Sequence, residues 1–157
     1  MSSSSLDTGV RVDLTIDGRP VEYQIERVLG QGSKARTFIA KRQTEASDAP
    51  QEVVLKASID ELRGVERAKS ELRAEFDILT QLYVARAHVP RPFWFHDGMS
   101  EPTIPFFAMA RAAGDPVSQV ALKGARYGFP EKVAMTLAIP FLETLQAAHN
   151  LGYGYRD

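Results

Sequence analysis

Two glycines, one lysine and one glutamate have the types and spacing to do chemistry. In "LGQGSKART", Gly30 and Gly32 fall in a turn between two extended segments. Lacking a Cβ, they let the backbone approach a ligand, and successive N–H groups of such a turn can cradle phosphate oxygens. A plain structural hairpin accounts for the same glycines. Lys56 stands in "VVLKA", where strand alternation puts it on the face of Val54 and opposite Val53 and Leu55. A lysine there is either an edge residue or a buried cation that needs a carboxylate or a phosphate. Glu75 is the candidate carboxylate: it follows Leu72 by three residues and precedes Leu79 by four, inside an apolar repeat. The alternative puts Glu75 on the edge of that repeat. A dinucleotide-binding turn needs a helix directly after its glycines, whereas "RTFIAKR" continues as a strand.

The elements that must position these groups follow from periodicity. "VRVDLTIDGRPVEYQIERVLG" alternates, with Val10, Val12, Leu14 and Ile16 on one face. Asp17-Gly18 predicts a hairpin turn, after which Val21, Tyr23 and Ile25 resume the alternation. "ARTFIAKR" and "EVVLKAS" read as strands around the polar loop "QTEASDAP". The period then changes: Leu62, Val65, Ala68, Leu72, Phe76, Leu79 and Leu82 recur at three and four, which predicts one long amphipathic helix. "VPRPFWFHDG" and "TIPFFAMA" read as two more strands, and "GDPVSQVALKG" as a short helix with Asp115 as N-cap. A second long helix begins at Pro130 and ends before Gly152, with Pro140 expected to kink it. A sheet with one helix inserted, followed by helices, is an α+β order.

The totals set limits. The chain has 157 residues, 44% hydrophobic and 25% charged, enough for a core. A formal net charge of -1 gives no electrostatic reason to expect nucleic acid or a membrane surface as partner. No cysteine is present, which excludes disulfides and thiolate metal sites and fits a reducing compartment. "MSSSSLDTG" has neither the basic nor the apolar region of a signal peptide and is expected to be a flexible tail. A cytoplasmic location is the resulting expectation. His88 and His96 have no partners at ligand spacing, His149 reads as a packing residue, and no metal site is assigned.

Taken in order, these features resemble the first part of a eukaryotic-type serine/threonine protein kinase domain, from about Tyr23 to the last residue. "GQGSKA" (Gly30 to Ala35) matches the family's glycine-rich loop, "VVLK" its strand lysine at Lys56, and "ELRAEFDILTQL" its helix glutamate at Glu75. "FFAMARAAGD" matches the gatekeeper, at Met109, and the hinge, while "YRD" after "LQAAHNLGY" matches the start of the catalytic loop. The resemblance implies a kinase-like N-lobe, an antiparallel five-stranded sheet with one long helix plus extra N-terminal hairpin strands. The first helices of an incomplete helical C-lobe follow. The expected divisions are a tail at 1–9, the N-lobe at 10–110, and hinge with partial C-lobe at 111–157.

The resemblance also implies roles. ATP is the expected ligand: Lys56 would hold its α/β-phosphates, Glu75 would aim Lys56, and the Gly30–Ala35 loop, Gly32 and Ser33 included, would cover the phosphates. Leu29, Thr37 and Val54 would pack around adenine, Ala110 and Ala112 would offer it backbone groups, and Met109 would limit the pocket. Asp115 would either reach the ribose or serve only as a cap. Asp157 would take the proton from a protein substrate's hydroxyl, and Arg156 would contact the activation segment. Three departures from the pattern are visible: Ala35 replaces the third glycine, Thr37 a valine, and Val54 a smaller residue. The family's magnesium ligands come after the aspartate, so Mg2+ is expected only with those further segments and the chain alone is expected to transfer no phosphate.

On the second long helix, Val133, Leu137, Phe141, Leu142 and Leu145 form an apolar stripe that further segments or a partner chain would cover. Two alternatives accompany the kinase reading. One is a pseudokinase-like nucleotide-binding or protein-interaction module. The other is a small-molecule kinase of the aminoglycoside type, which "YRD" after "AAHNLGY" disfavours.

Overall fold

The first hairpin closes on two residues. In the computed structural model, which describes residues 6–45, 48–59, 65–100, 102–114 and 130–154, β1 (Arg11–Ile16) pairs antiparallel with β2 (Arg19–Gln31), Ile16 opposite Arg19. Asp17 and Gly18 make the turn at φ 50° and 78°. Two positive φ values in a two-residue loop match the right-handed twist of the flanking strands, and Asp-Gly tolerates them best. β3 (Ala35–Arg42), β4 (Glu52–Ser58), β5 (Pro92–His96) and β6 (Phe106–Ala110) complete a six-stranded antiparallel sheet in the order β1-β2-β3-β4-β6-β5. Helix α1 (Val65–Val84) is inserted between β4 and β5, and helix α2 (Glu131–Asn150) is the last described element. The α+β order expected from the sequence is present. The sheet has five strands with β1 added at one edge. The short helix expected around Asp115 lies outside the described residues, as do Tyr155, Arg156 and Asp157.

The chain forms two compact units, one of residues 1–80 and 90–111, the other of 81–89 and 112–157. In the first, alternation sends one face of every strand inward. Leu14, Tyr23, Ile25, Phe38, Val53, Leu55 and Phe106 are essentially inaccessible to solvent. Neither described helix contributes a residue to this core. The edge strands β1 and β5 instead lie against each other, and Arg91 beside β5 pairs with Asp17 at 2.9 Å. The sheet therefore curls around its own side chains, which removes that face from water. An irregularity between Pro92 and Trp94 puts both Phe93 and Trp94 against the core and returns Phe95 to the outer face opposite Phe107. Leu6, expected in a flexible tail, is 4% exposed and belongs to this core, and Gly9 donates its N–H to the Ile25 carbonyl at 2.8 Å.

Among the described core residues, Tyr23 alone carries an ionisable side chain. Its hydroxyl donates to the Pro50 carbonyl at 2.7 Å, and burial raises its pKa above the ordinary 10.0 although Arg42 nearby pulls it down. The folded state thus holds that proton more tightly than the unfolded chain. The resulting stability is complete below pH 10 and is lost as pH rises through the folded-state value. Tyr23→Phe is expected to cost about 1 kcal/mol at neutral pH, one hydrogen bond. It should also flatten the alkaline limb of a urea-denaturation series, and an unchanged limb would refute that linkage.

In the second unit α2 starts after Pro130 and stops where expected. Gly152, at φ 82°, donates to the His149 carbonyl at 2.9 Å, and Tyr153 donates to Ala148 at 2.9 Å. That bond pair is the Schellman stop, which favours glycine at the left-handed position. The helix continues through Pro140, whose ring removes one main-chain donor. None of its residues is buried. Leu142, Phe141 and Met135 are more than half exposed, so the apolar surface extends beyond the stripe read from the sequence. His88, unpartnered by sequence spacing, is within 2.8 Å of Glu143 here.

Candidate functional site

The outer face of the sheet carries the groups singled out by the sequence. Lys56 lies on β4, inside the sheet, directly between Thr37 of β3 and Phe107 of β6. Helix α1 packs over this face through Leu72, 5% exposed, and through Phe76, whose ring centroid is 5.7 Å from both Phe95 and Phe107. Arg73 lies over the Phe95 ring at 5.1 Å, and Lys69 reaches Asp97 of the β5–β6 turn at 3.8 Å. The backbone N–H of Met99, with Lys69 adding a smaller effect, holds the Asp97 carboxyl below its ordinary range. Seating Phe76 beside Phe107, the cross-strand neighbour of Lys56, brings the preceding residue Glu75 to the lysine. Lys56 Nζ donates to Glu75 Oε1, forming an ion pair.

The burial of this pair corrects one expectation. Glu75 was placed well inside the apolar repeat, yet its side chain is 47% exposed, against 26% for Lys56. Among the helix residues whose burial is described, only Leu72 is fully buried. A half-solvated ion pair contributes little to folding, on the order of 0–1 kcal/mol. Fold stability therefore does not explain why a lysine occupies the face of Val54 and Phe107, which are 4% and 1% exposed.

The glycine turn adjoins this pair through the β2–β3–β4 ladder. Gln31 stands opposite Arg36 and Gly30 opposite Thr37, while Gly32 N–H donates to the Ala35 carbonyl at 2.9 Å. Neither glycine has a positive φ. A Cβ added at Gly32 would meet only the Ala35 carbonyl at 3.7 Å, and one at Gly30 would meet Thr37 Oγ1 at 3.4 Å, both ordinary contacts. The turn's own packing would accept alanine at either position. The glycines leave space over the backbone that the fold does not use.

The remaining expected residues divide. Leu29 is 48% exposed and offers apolar surface, whereas Val54 is already covered by protein and has little left to offer. Thr37 turns its hydroxyl to the Gly30 carbonyl at 3.1 Å. Met109 lies opposite Val54 on β6, half-buried. Ala110 N–H is taken by the Arg91 carbonyl at 2.8 Å, so an adenine contact there would fall to its carbonyl. Ala112 is exposed and belongs to the second unit. Further along the outer face, Arg111 bonds Glu52 at 2.5 Å and lowers its pKa, and the bond from Lys41 to Glu26 raises that of Lys41. Among the described residues no three acidic or histidine side chains cluster as metal ligands. No helix among them is long and apolar enough to cross a membrane.

Sequence reasoning missed a contact between the turn and the helix. Lys34 Nζ lies 4.0 Å from Glu71 Oε2, and the Lys34 carbonyl accepts the Ile59 N–H at 3.2 Å. The legible signal was Glu71 itself, four residues before Glu75 and hence on the same helix face.

No family model matches the chain, and no curated protein does. Solved structures do. The kinase domain of Mycobacterium tuberculosis PknI superposes with a TM-score of 0.59 at 17% identity over 98% of this chain and 56% of that one. A double-substitution variant of that domain gives 0.55 at 20% identity over 94% and 54%. The chain thus spans a little over half the length of the structures it matches, and it shares with them a protein-kinase-like fold.

Proposed function

We propose that this chain supplies the nucleotide-binding lobe of an ATP-dependent phosphotransferase, of the kind that phosphorylates serine or threonine hydroxyls of proteins. One observation carries the reading: the ion pair that joins Lys56 of an inner strand to Glu75 of the inserted helix, beside a glycine turn with unused space. Phosphoryl transfer needs charge neutralisation and positioning more than covalent help. Lys56 meets that need as the cation for the α/β-phosphates, and Glu75 keeps its ammonium aimed. The Gly30–Ala35 turn covers the phosphates, Leu29 and Met109 contact the base, and the Ala110 carbonyl receives its edge. Asp157 is the proposed acceptor of the hydroxyl proton, with Arg156 as its neighbour on the catalytic loop. The apolar surface of α2 is the proposed seat for further polypeptide.

The test is a thermal-unfolding titration of the whole chain with ATP, ADP and AMP. ATP at one hundred times its Kd should stabilise the chain by about 2.7 kcal/mol, and AMP at the same concentration by less. Identical unfolding with and without saturating ATP, together with failure to bind a fluorescent ATP analogue, would refute the proposal.

A further inference from the structure

We propose that Lys34 is a second polyphosphate ligand, parked on Glu71 until a nucleotide arrives; the inference rests on the reading above and extends it to a residue of the turn. Two glutamates one helical turn apart, Glu71 and Glu75, face two lysines from the sheet side, Lys34 and Lys56. The two pairs differ in kind. Lys56 is 26% exposed on an inner strand and donates to Glu75. Lys34 is 60% exposed and sits 4.0 Å from a carboxylate that is itself 42% exposed. A long, solvated pair of that sort is weak and readily exchanged.

The neighbourhood suits an exchange. Lys34 lies inside the turn whose glycines leave space above the backbone, and its own backbone is held by Ile59. A polyphosphate over that turn carries several negative charges and outcompetes a single carboxylate for the ammonium. Departure of Lys34 does not strand Glu71, because Arg67 Nε holds its other oxygen at 3.1 Å. Glu71 therefore acts as a competitor for Lys34, and the two residues should influence nucleotide affinity in opposite directions.

That sign distinguishes the proposal from a merely structural ion pair, in which losing either partner has the same effect. Kd values for ATP, ADP and AMP are measured on the whole chain for the wild type, Lys34→Gln and Glu71→Gln, with unfolding midpoints without nucleotide as the control for folding. Lys34→Gln should weaken ATP about tenfold, the loss of one hydrogen bond to a charged group, and leave AMP nearly unchanged. Glu71→Gln should tighten ATP roughly threefold by removing the competitor. Weakening by both variants alike overturns the proposal but not the nucleotide reading, and so does an unaltered ATP affinity in Lys34→Gln while Lys56→Met loses it. A wild type that binds no ATP overturns both.

Discussion

Lys56→Met should weaken ATP binding by about thirtyfold or more and leave the fold standing. Methionine retains an unbranched apolar stem against Val54 and Phe107 and removes only the charge. The pair it breaks leaves behind a carboxylate that is 47% exposed and can be rehydrated, so folding should lose no more than about 1 kcal/mol. Binding is affected far more, because a cation bonded to phosphate in a partly desolvated site contributes about 2–5 kcal/mol, a factor of roughly 30 to several thousand in Kd. Glu75→Gln should fall between the two, since the lysine keeps its charge and loses its aim. Calorimetric titration with ATP, beside a denaturation curve for each variant, measures both effects. Wild-type affinity in Lys56→Met would remove the basis of the proposed function.

Phe106→Ala should bring the first unit to the edge of unfolding. Phe106 has no exposed surface, lies in the closed inner core, and packs in a tilted arrangement against His96 with ring centroids 4.8 Å apart. The same imidazole bonds the Pro102 carbonyl at 2.7 Å, so the lost ring also loosens the β5–β6 turn. Truncation of a fully buried phenylalanine costs about 3–5 kcal/mol, against a usual total of about 5–15 kcal/mol. Phe141→Ala is the matched control. That ring is 55% exposed on α2, and its loss should change stability by no more than about 0.5 kcal/mol. Urea unfolding followed by far-UV circular dichroism separates the two. A Phe106→Ala midpoint close to wild type would show that the curled sheet does not hold the unit together.

Local order was largely legible because its causes are local. Alternation of period two marked β1 and β2, Asp17-Gly18 marked the hairpin by its tolerance of positive φ, and Gly152 marked the end of α2 for the same reason. The change to period three and four marked α1. The pairing of Lys56 with Glu75 was one of the readings that the residues left open, and the ordered resemblance to a kinase lobe favoured it.

Other features depended on which residues the chain brings together across long separations. The sheet closes on itself only because β1 and β5, distant in sequence, meet at its edges. That closure buries Leu6, which composition alone assigned to a tail. The irregularity at Phe93 and Trp94 depends on register against β6, and it decides that Phe95 and not Trp94 faces α1. The approach of Lys34 to Glu71 depends on where the helix is seated, through Phe76 on Phe95 and Phe107. Residue type and spacing determined the elements and their chemically suited groups. Tertiary packing decided which of those groups meet and how much water reaches them, because burial and ion pairing are properties of distance in space and not of separation along the chain.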